Sequence, residues 1–174
     1  MLKIFNKTYS EKELAVFQFL SKNKLFDTLT NEEMAEFLPA MYQREYKENE
    51  VVFFSKDPSN ALYIIKNGIV TLNLEVKGEF EKLVVLRSGR VFGDNVILSN
   101  SKRIYTAIVT SESAELYVIP RINLEEIMEN DVQVKAKLMT AIAQEYDEYM
   151  QNLFKGYKDA YGFFNINMIY ADRR

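Results

Sequence analysis

The chain has 174 residues, with 22 Lys and Arg against 25 Asp and Glu, a formal charge of −3, and 48% apolar residues. This is the composition of an ordinary globular chain, long enough for one domain and an appendage, and its slight acidity argues against wholesale binding to nucleic acid or an acidic membrane. Neither cysteine nor histidine occurs, which excludes zinc fingers, iron–sulfur clusters, thiol nucleophiles, Ser-His-Asp triads and disulfides. The N-terminal stretch Met1–Lys7 is too short and too polar for a signal sequence, and no apolar run reaches membrane-spanning length. The expected compartment is the cytoplasm.

Residues 1–44 read as helical. Ser10 with Glu13, and Thr30 with Glu33, form capping-box patterns ahead of Leu14, Phe17 and Leu20 and of Met34, Phe37, Leu38 and Met41. Pro39 inside the second apolar face predicts a kinked or shortened helix.

Residues 45–121 read as strands. Val51–Phe54, Leu62–Ile65, Leu83–Leu86, Ile104–Val109 and Leu116–Ile119 are short apolar runs between polar turns, and Val70, Leu72, Leu74 and Val76 alternate with polar residues. Lys77-Gly78-Glu79 predicts a hairpin turn. Many short strands at regular spacing predict a mostly β jelly roll (a double-stranded β-helix), with a short helical turn at Gly93–Leu98.

Residues 122–161 turn helical again. Asn123 and Glu126 open a short helix, and Asn130-Asp131 caps a long one reaching Tyr161. On it Val134, Leu138, Ile142, Tyr149 and Leu153 recur near the helical period, with Tyr146, Phe154 and Tyr157 beside them. A partner helix in a homodimer is the simplest cover for so long a stripe, the alternative being the chain's own barrel. Residues 162–174 form an aromatic tail containing Phe163, Phe164 and Tyr170, with packing and partner docking both open for it.

One segment is more specific. Phe92-Gly93-Asp94-Asn95-Val96-Ile97-Leu98 followed by Lys102-Arg103-Ile104-Tyr105-Thr106 resembles the phosphate-binding cassette of cyclic nucleotide-binding domains, the sensor modules of catabolite-activator-type (Crp/Fnr) regulators. Leu62–Val70 is similar to that family's Leu-Tyr-Ile-Ile-x-x-Gly-x-Val signature, and Ser88–Gly93 to its entry into the cassette. Leu25-Phe26 before the Thr30-capped helix also matches, so the resemblance runs from Leu25 to about Leu153. It implies a jelly roll flanked by helices and a ligand site at Gly93, Asp94, Asn95, Val96, Arg103, Tyr105 and Thr106, with Glu148 or Tyr149 of the long helix facing the ligand, a place in the dimer stripe being the other reading of Tyr149. A glycine-led helical turn offers backbone N–H groups to an anion, and arginine offers a planar donor fork. The implied ligand is a cyclic nucleotide such as cyclic AMP or cyclic GMP, with no other cofactor and no metal.

The cassette also departs from the family pattern. Asp94 replaces a glutamate that binds the ribose hydroxyl and is shorter by roughly 1.5 Å, one C–C bond. Lys102 replaces a proline, Asn95 a small apolar residue, and Ile104 and Tyr105 small residues. Tyr105 would clash with a ligand or contact it through its hydroxyl. Asn49 and Lys56 stand at turn positions usually held by glycine. The expected function is a non-enzymatic sensor that signals through a dimerising helix and protein partners. Thirteen residues after Tyr161 are too few for a helix-turn-helix, so no direct DNA binding is expected. The alternative is a degenerate, ligand-free interaction module in which Asp94 and Arg103 pair across an empty pocket.

Overall fold

Both capping boxes form. Ser10 Oγ accepts from the Glu13 N–H, and the Glu13 carboxylate accepts in return from the Ser10 N–H, starting α1 (Glu11–Leu20). Thr30 and Glu33 repeat the arrangement at α2 (Asn31–Ala35). The second helix ends well before Pro39 and continues as turns in which Phe37 is fully buried. The computed structural model describes residues 8–162; the predicted aromatic tail, with Phe163, Phe164 and Tyr170, lies outside the described residues.

Eight strands follow among the described residues: β1 (Tyr42–Lys47), β2 (Val51–Phe53), β3 (Ala61–Asn67), β4 (Ile69–Val76), β5 (Glu79–Arg87), β6 (Val91–Phe92), β7 (Thr106–Val109) and β8 (Ser113–Pro120). They form two four-stranded antiparallel sheets, ordered β1-β8-β3-β6 and β2-β7-β4-β5, the jelly roll that the strand spacing predicts. The roll starts at Tyr42, three residues before the expected boundary, because Tyr42–Lys47 pairs in full with β8. The β4–β5 turn is Lys77-Gly78, both with positive φ (55° and 86°), as a two-residue hairpin requires.

Two apolar layers explain the patterning. Ile65, Val70, Leu72, Phe92, Ala107, Val109, Leu116 and Val118 fill the space between the sheets. Leu62, Ile64, Tyr117 and Ile119, on the outer face of the first sheet, pack against Phe17, Leu20, Phe26 and Phe37 and the C-terminal helices. β3 and β8 are therefore covered on both sides, which is why they read as unbroken apolar runs rather than as alternation.

α3 (Arg121–Asn130) starts directly after Pro120, with no side-chain cap, two residues before the start expected at Asn123. α4 (Val132–Tyr161) is capped by Asp131, whose carboxylate accepts from the Gln133 and Val134 N–H groups, and ends at Gly162 with φ 72°. Its apolar stripe divides. Val134, Leu138, Ala141 and Ile142 are buried against the chain's own helices and sheet. Beyond them Tyr149, Met150, Leu153 and Tyr161 are exposed. The chain's own core thus accounts for the first half of the stripe and leaves the second half uncovered.

Candidate functional site

The roll and α4 meet at the segment that follows β6. Gly93 sits in the left-handed region (φ 73°, ψ 22°) and swings the chain into a short 3-10 helix, Asp94–Ile97. A Cβ here would meet Arg103 Nη1 at 2.5 Å, so glycine serves both the dihedral and the close approach. The neighbouring turn is fixed by main-chain bonds: Lys56 N–H to Arg103 O and Arg103 N–H to Asp57 O, each 2.8 Å. Lys56 and Asn49 both adopt positive φ, 73° and 65°; these are the positions where a glycine was expected from the pattern, and the turn geometry persists without it.

Arg103 is 3% exposed. Its Nη1 donates to Gly93 O at 2.9 Å and to Asn95 Oδ1 at 3.2 Å, and its Nη2 donates to Ala61 O at 2.5 Å. The guanidinium lies 4.2 Å from the Phe53 ring centroid and 5.6 Å from that of Tyr63, in a group of rings completed by Phe92. Burial holds its pKa below the usual arginine value, and Nε is buried without a partner. The pairing of Arg103 with Asp94 envisaged from sequence is not what forms: the guanidinium is spent on carbonyl-type acceptors, while the Asp94 carboxylate accepts from Tyr146 of α4.

Asn95 ties the turn together. Its Oδ1 accepts from Ser59 Oγ (2.9 Å) as well as from Arg103, its Nδ2 donates to Lys102 O (2.8 Å), and its own carbonyl accepts from Ser101 Oγ (2.5 Å). Tyr105 occupies the other side, where its hydroxyl oxygen accepts the Gly93 N–H at 3.2 Å. Val96 is fully buried in the helical core layer, and its N–H donates to Gly93 O. Thr106 is 2% exposed, with Oγ1 accepting from Ser55 N–H.

A cavity of about 360 Å³ opens between β4, β5, this segment and α4. Its strand wall is aliphatic: Leu72 from β4 and Leu83, Val84 and Leu86 from β5. Val91, Phe92 and Ile104 extend that surface, Tyr105, Tyr146 and Tyr149 face it, and Arg90, Asp94 and Asn95 are its remaining polar members. Burial pushes the Asp94 carboxyl above the usual aspartate value, against the Tyr146 hydrogen bond and the Arg103 charge, which pull it down. Burial likewise raises Glu145 on α4, and the Asp94 charge adds to the rise. The Tyr149 phenol is pushed up to about 12, chiefly by burial.

Of the residues singled out from sequence, Asp94, Asn95, Tyr105 and Tyr149 come together around the cavity, whereas Gly93, Val96, Arg103 and Thr106 are buried and do not line it. Sequence reasoning passed over Arg90, the strand aliphatics and, as a cavity residue, Tyr146. For Tyr146 a signal existed: it lies one helical turn before Tyr149, on the same face of α4.

The family model of the cyclic nucleotide-binding domain matches residues 43–131, just over half of the chain. The chain belongs to the cyclic nucleotide-binding domain family. A cGMP-dependent protein kinase of Caenorhabditis briggsae is 24% identical over 113 residues, 64% of this chain but only 15% of the kinase. Among solved structures, the N-terminal domain of a transcriptional regulator from Streptomyces coelicolor superimposes with a TM-score of 0.68 at 21% identity, covering 78% of this chain and 94% of that one. The regulatory domain of Toxoplasma gondii PKA, crystallised with cAMP, has a TM-score of 0.62 at 21% identity and covers 70% of this chain and 46% of that one. At these identities the structural likeness establishes the shared jelly-roll fold. Among the described residues, no helix is long and apolar enough to cross a membrane, and no cluster of carboxylates has the makings of a metal site.

Proposed function

We propose that this cyclic nucleotide-binding-family domain is a ligand-responsive regulatory module. A small molecule enters the cavity between the roll and α4 and biases the position of that helix. The observation that carries the reading is the double ownership of the cavity: β4 and β5 supply one wall, and Tyr146 and Tyr149 of α4 supply the other. Contact with a guest therefore acts directly on the helix, and a ligand with unequal affinity for two helix positions shifts their populations. Membership of the family makes cyclic AMP and cyclic GMP the first ligands to test. The signal leaves through the second half of α4, whose Tyr149, Met150 and Leu153 are more than half exposed; homodimerisation along that face, and docking of a protein partner, supply the output. The setting is cytoplasmic, and no enzymatic or DNA-binding activity is assigned to the domain.

Because the chain has no cysteine, two introduced cysteines, at Lys82 and Gln151, give a clean spin-label pair across the cavity. A change in the label distance on adding cyclic AMP, cyclic GMP, cyclic dinucleotides or an uncharged apolar compound supports the module, and a distance unmoved by any compound that binds overturns it. A ligand at a hundredfold excess over its Kd also raises stability by about 2.7 kcal/mol, readable as a thermal shift. One observation favours a second reading, the ligand-free dimeric scaffold: the Gly93 N–H and both terminal nitrogens of Arg103 already have partners within the chain. No thermal shift with any compound supports the scaffold.

A further inference from the structure

We infer that the guest between β5 and α4 is an uncharged, largely apolar small molecule with a hydroxyl or carbonyl end, and not a phosphodiester; this rests on reading the cavity as a ligand site. A phosphate needs donors facing it, and here the glycine amide and the arginine fork that the cassette would offer are committed elsewhere. The Gly93 N–H is taken by the Tyr105 hydroxyl, and Arg103 turns both terminal nitrogens onto Gly93 O, Asn95 Oδ1 and Ala61 O without lining the cavity.

Charge points the same way. Asp94 stands in the lining and the half-buried Glu145 beside it, while the one cation of the lining, Arg90, is exposed at the rim and faces Glu145. A phosphodiester would bring its negative charge up to two carboxylates, while Arg90 is exposed at the rim and Arg103 is bonded to its own acceptors behind the lining.

The walls ask for something else. Leu72, Leu86, Val91 and Phe92 form an apolar floor, and Leu83, Val84 and Ile104 at the mouth are 54%, 42% and 71% exposed, surface that an apolar guest would cover. The Tyr105 hydroxyl accepts from Gly93 and still carries a proton to donate, and the Tyr149 phenol in the lining carries another, as an ordinary tyrosine does at physiological pH. Phenol donors over an aliphatic floor suit a neutral oxygen acceptor on a hydrocarbon body. The volume of about 360 Å³ falls within the usual range for small-molecule sites, about 300–1,000 Å³.

The test titrates the full chain with N-phenyl-1-naphthylamine, an uncharged fluorophore, and competes it with 1-decanol, decanoate, cyclic AMP and cyclic GMP. Saturable fluorescence displaced by decanol, and not by decanoate or either nucleotide at hundredfold excess, is the expected result. Val84→Trp, which narrows the mouth from a partly exposed position, and Tyr149→Ala should each weaken the probe at least tenfold, with unchanged circular dichroism. Displacement by either cyclic nucleotide at micromolar concentration overturns the inference, as does probe binding indifferent to both substitutions, or no saturable binding at all. The two ideas fail separately. Probe binding that leaves the 82–151 label distance unchanged removes the regulatory reading and keeps the ligand class, whereas displacement by a nucleotide that moves the distance does the reverse.

Discussion

Replacing Arg103 with alanine separates a structural guanidinium from a ligand-facing one. The substitution strips the side-chain donor from the buried Ala61 O, and a buried acceptor left unpaired costs about 1–3 kcal/mol; Gly93 O loses one of its two donors and keeps the Val96 N–H. Loss of the cation from the face of Phe53, 4.2 Å away, adds about 0.5–2 kcal/mol. Against this, the charge itself is desolvated and its Nε is unpartnered, so its removal relieves a penalty, and water can enter the hole. A net loss of about 2 kcal/mol follows, equivalent to about 4–8 °C in Tm for a chain of this size. Urea unfolding followed by circular dichroism measures it, with a lowered midpoint at constant slope. Arg103→Lys should recover little, since a single ammonium cannot reach carbonyls on two separate segments with the fork's geometry. A change below about 0.5 kcal/mol for Arg103→Ala would refute the account, because that is the response of a surface side chain.

Other consequences are as direct. Gly93→Ala forces a side chain into the left-handed region with its Cβ 2.5 Å from Arg103 Nη1; urea unfolding should show a loss of about 2–3 kcal/mol, less than additive with Arg103→Ala because the clash partner is then gone. Asp94 titrates above its unfolded value, so the native state holds that proton more tightly. Its contribution is full below about pH 4, the ordinary aspartate range, and is lost as pH rises through the folded value. The stability of the parent relative to Asp94→Asn should therefore fall as pH rises from about 4, and urea midpoints for both proteins across pH 4–7 check it; a difference that grows with pH would contradict the buried-carboxyl description. Leu153, 66% exposed on α4, should become a dimer-breaking site: sedimentation velocity is expected to show a smaller species for Leu153→Glu with an unchanged far-ultraviolet spectrum.

Membership of the cyclic nucleotide-binding family explains the fold and the position of the cavity more firmly than it explains the guest. The cassette spacing is kept, with the glycine turn, the short helix and the arginine in register, yet two substitutions change what the parts face. Tyr105, at a position where the family pattern has a small residue, puts a hydroxyl on the amide of Gly93. Asn95, where a small apolar residue is usual, gives Arg103 an acceptor within the chain and braces the loop through Ser59, Ser101 and Lys102. Both were visible in the sequence as departures; their joint effect depends on three-dimensional proximity.

Local order was legible from the chain alone because its causes are local. Ser10 with Glu13, Thr30 with Glu33, the Lys77-Gly78 turn and the unbroken run Leu116–Ile119 each act through neighbours a few residues away, and together they specify a jelly roll between helices. Only the tertiary structure decided which way Arg103 points, since its strongest acceptor, the Ala61 carbonyl, lies 42 residues away in sequence. It likewise decided where the stripe on α4 passes from core to surface, because period gives a helix its apolar face but not the length of the body beneath it. Side-chain direction and cover depend on partners distant in sequence, and no local pattern records them.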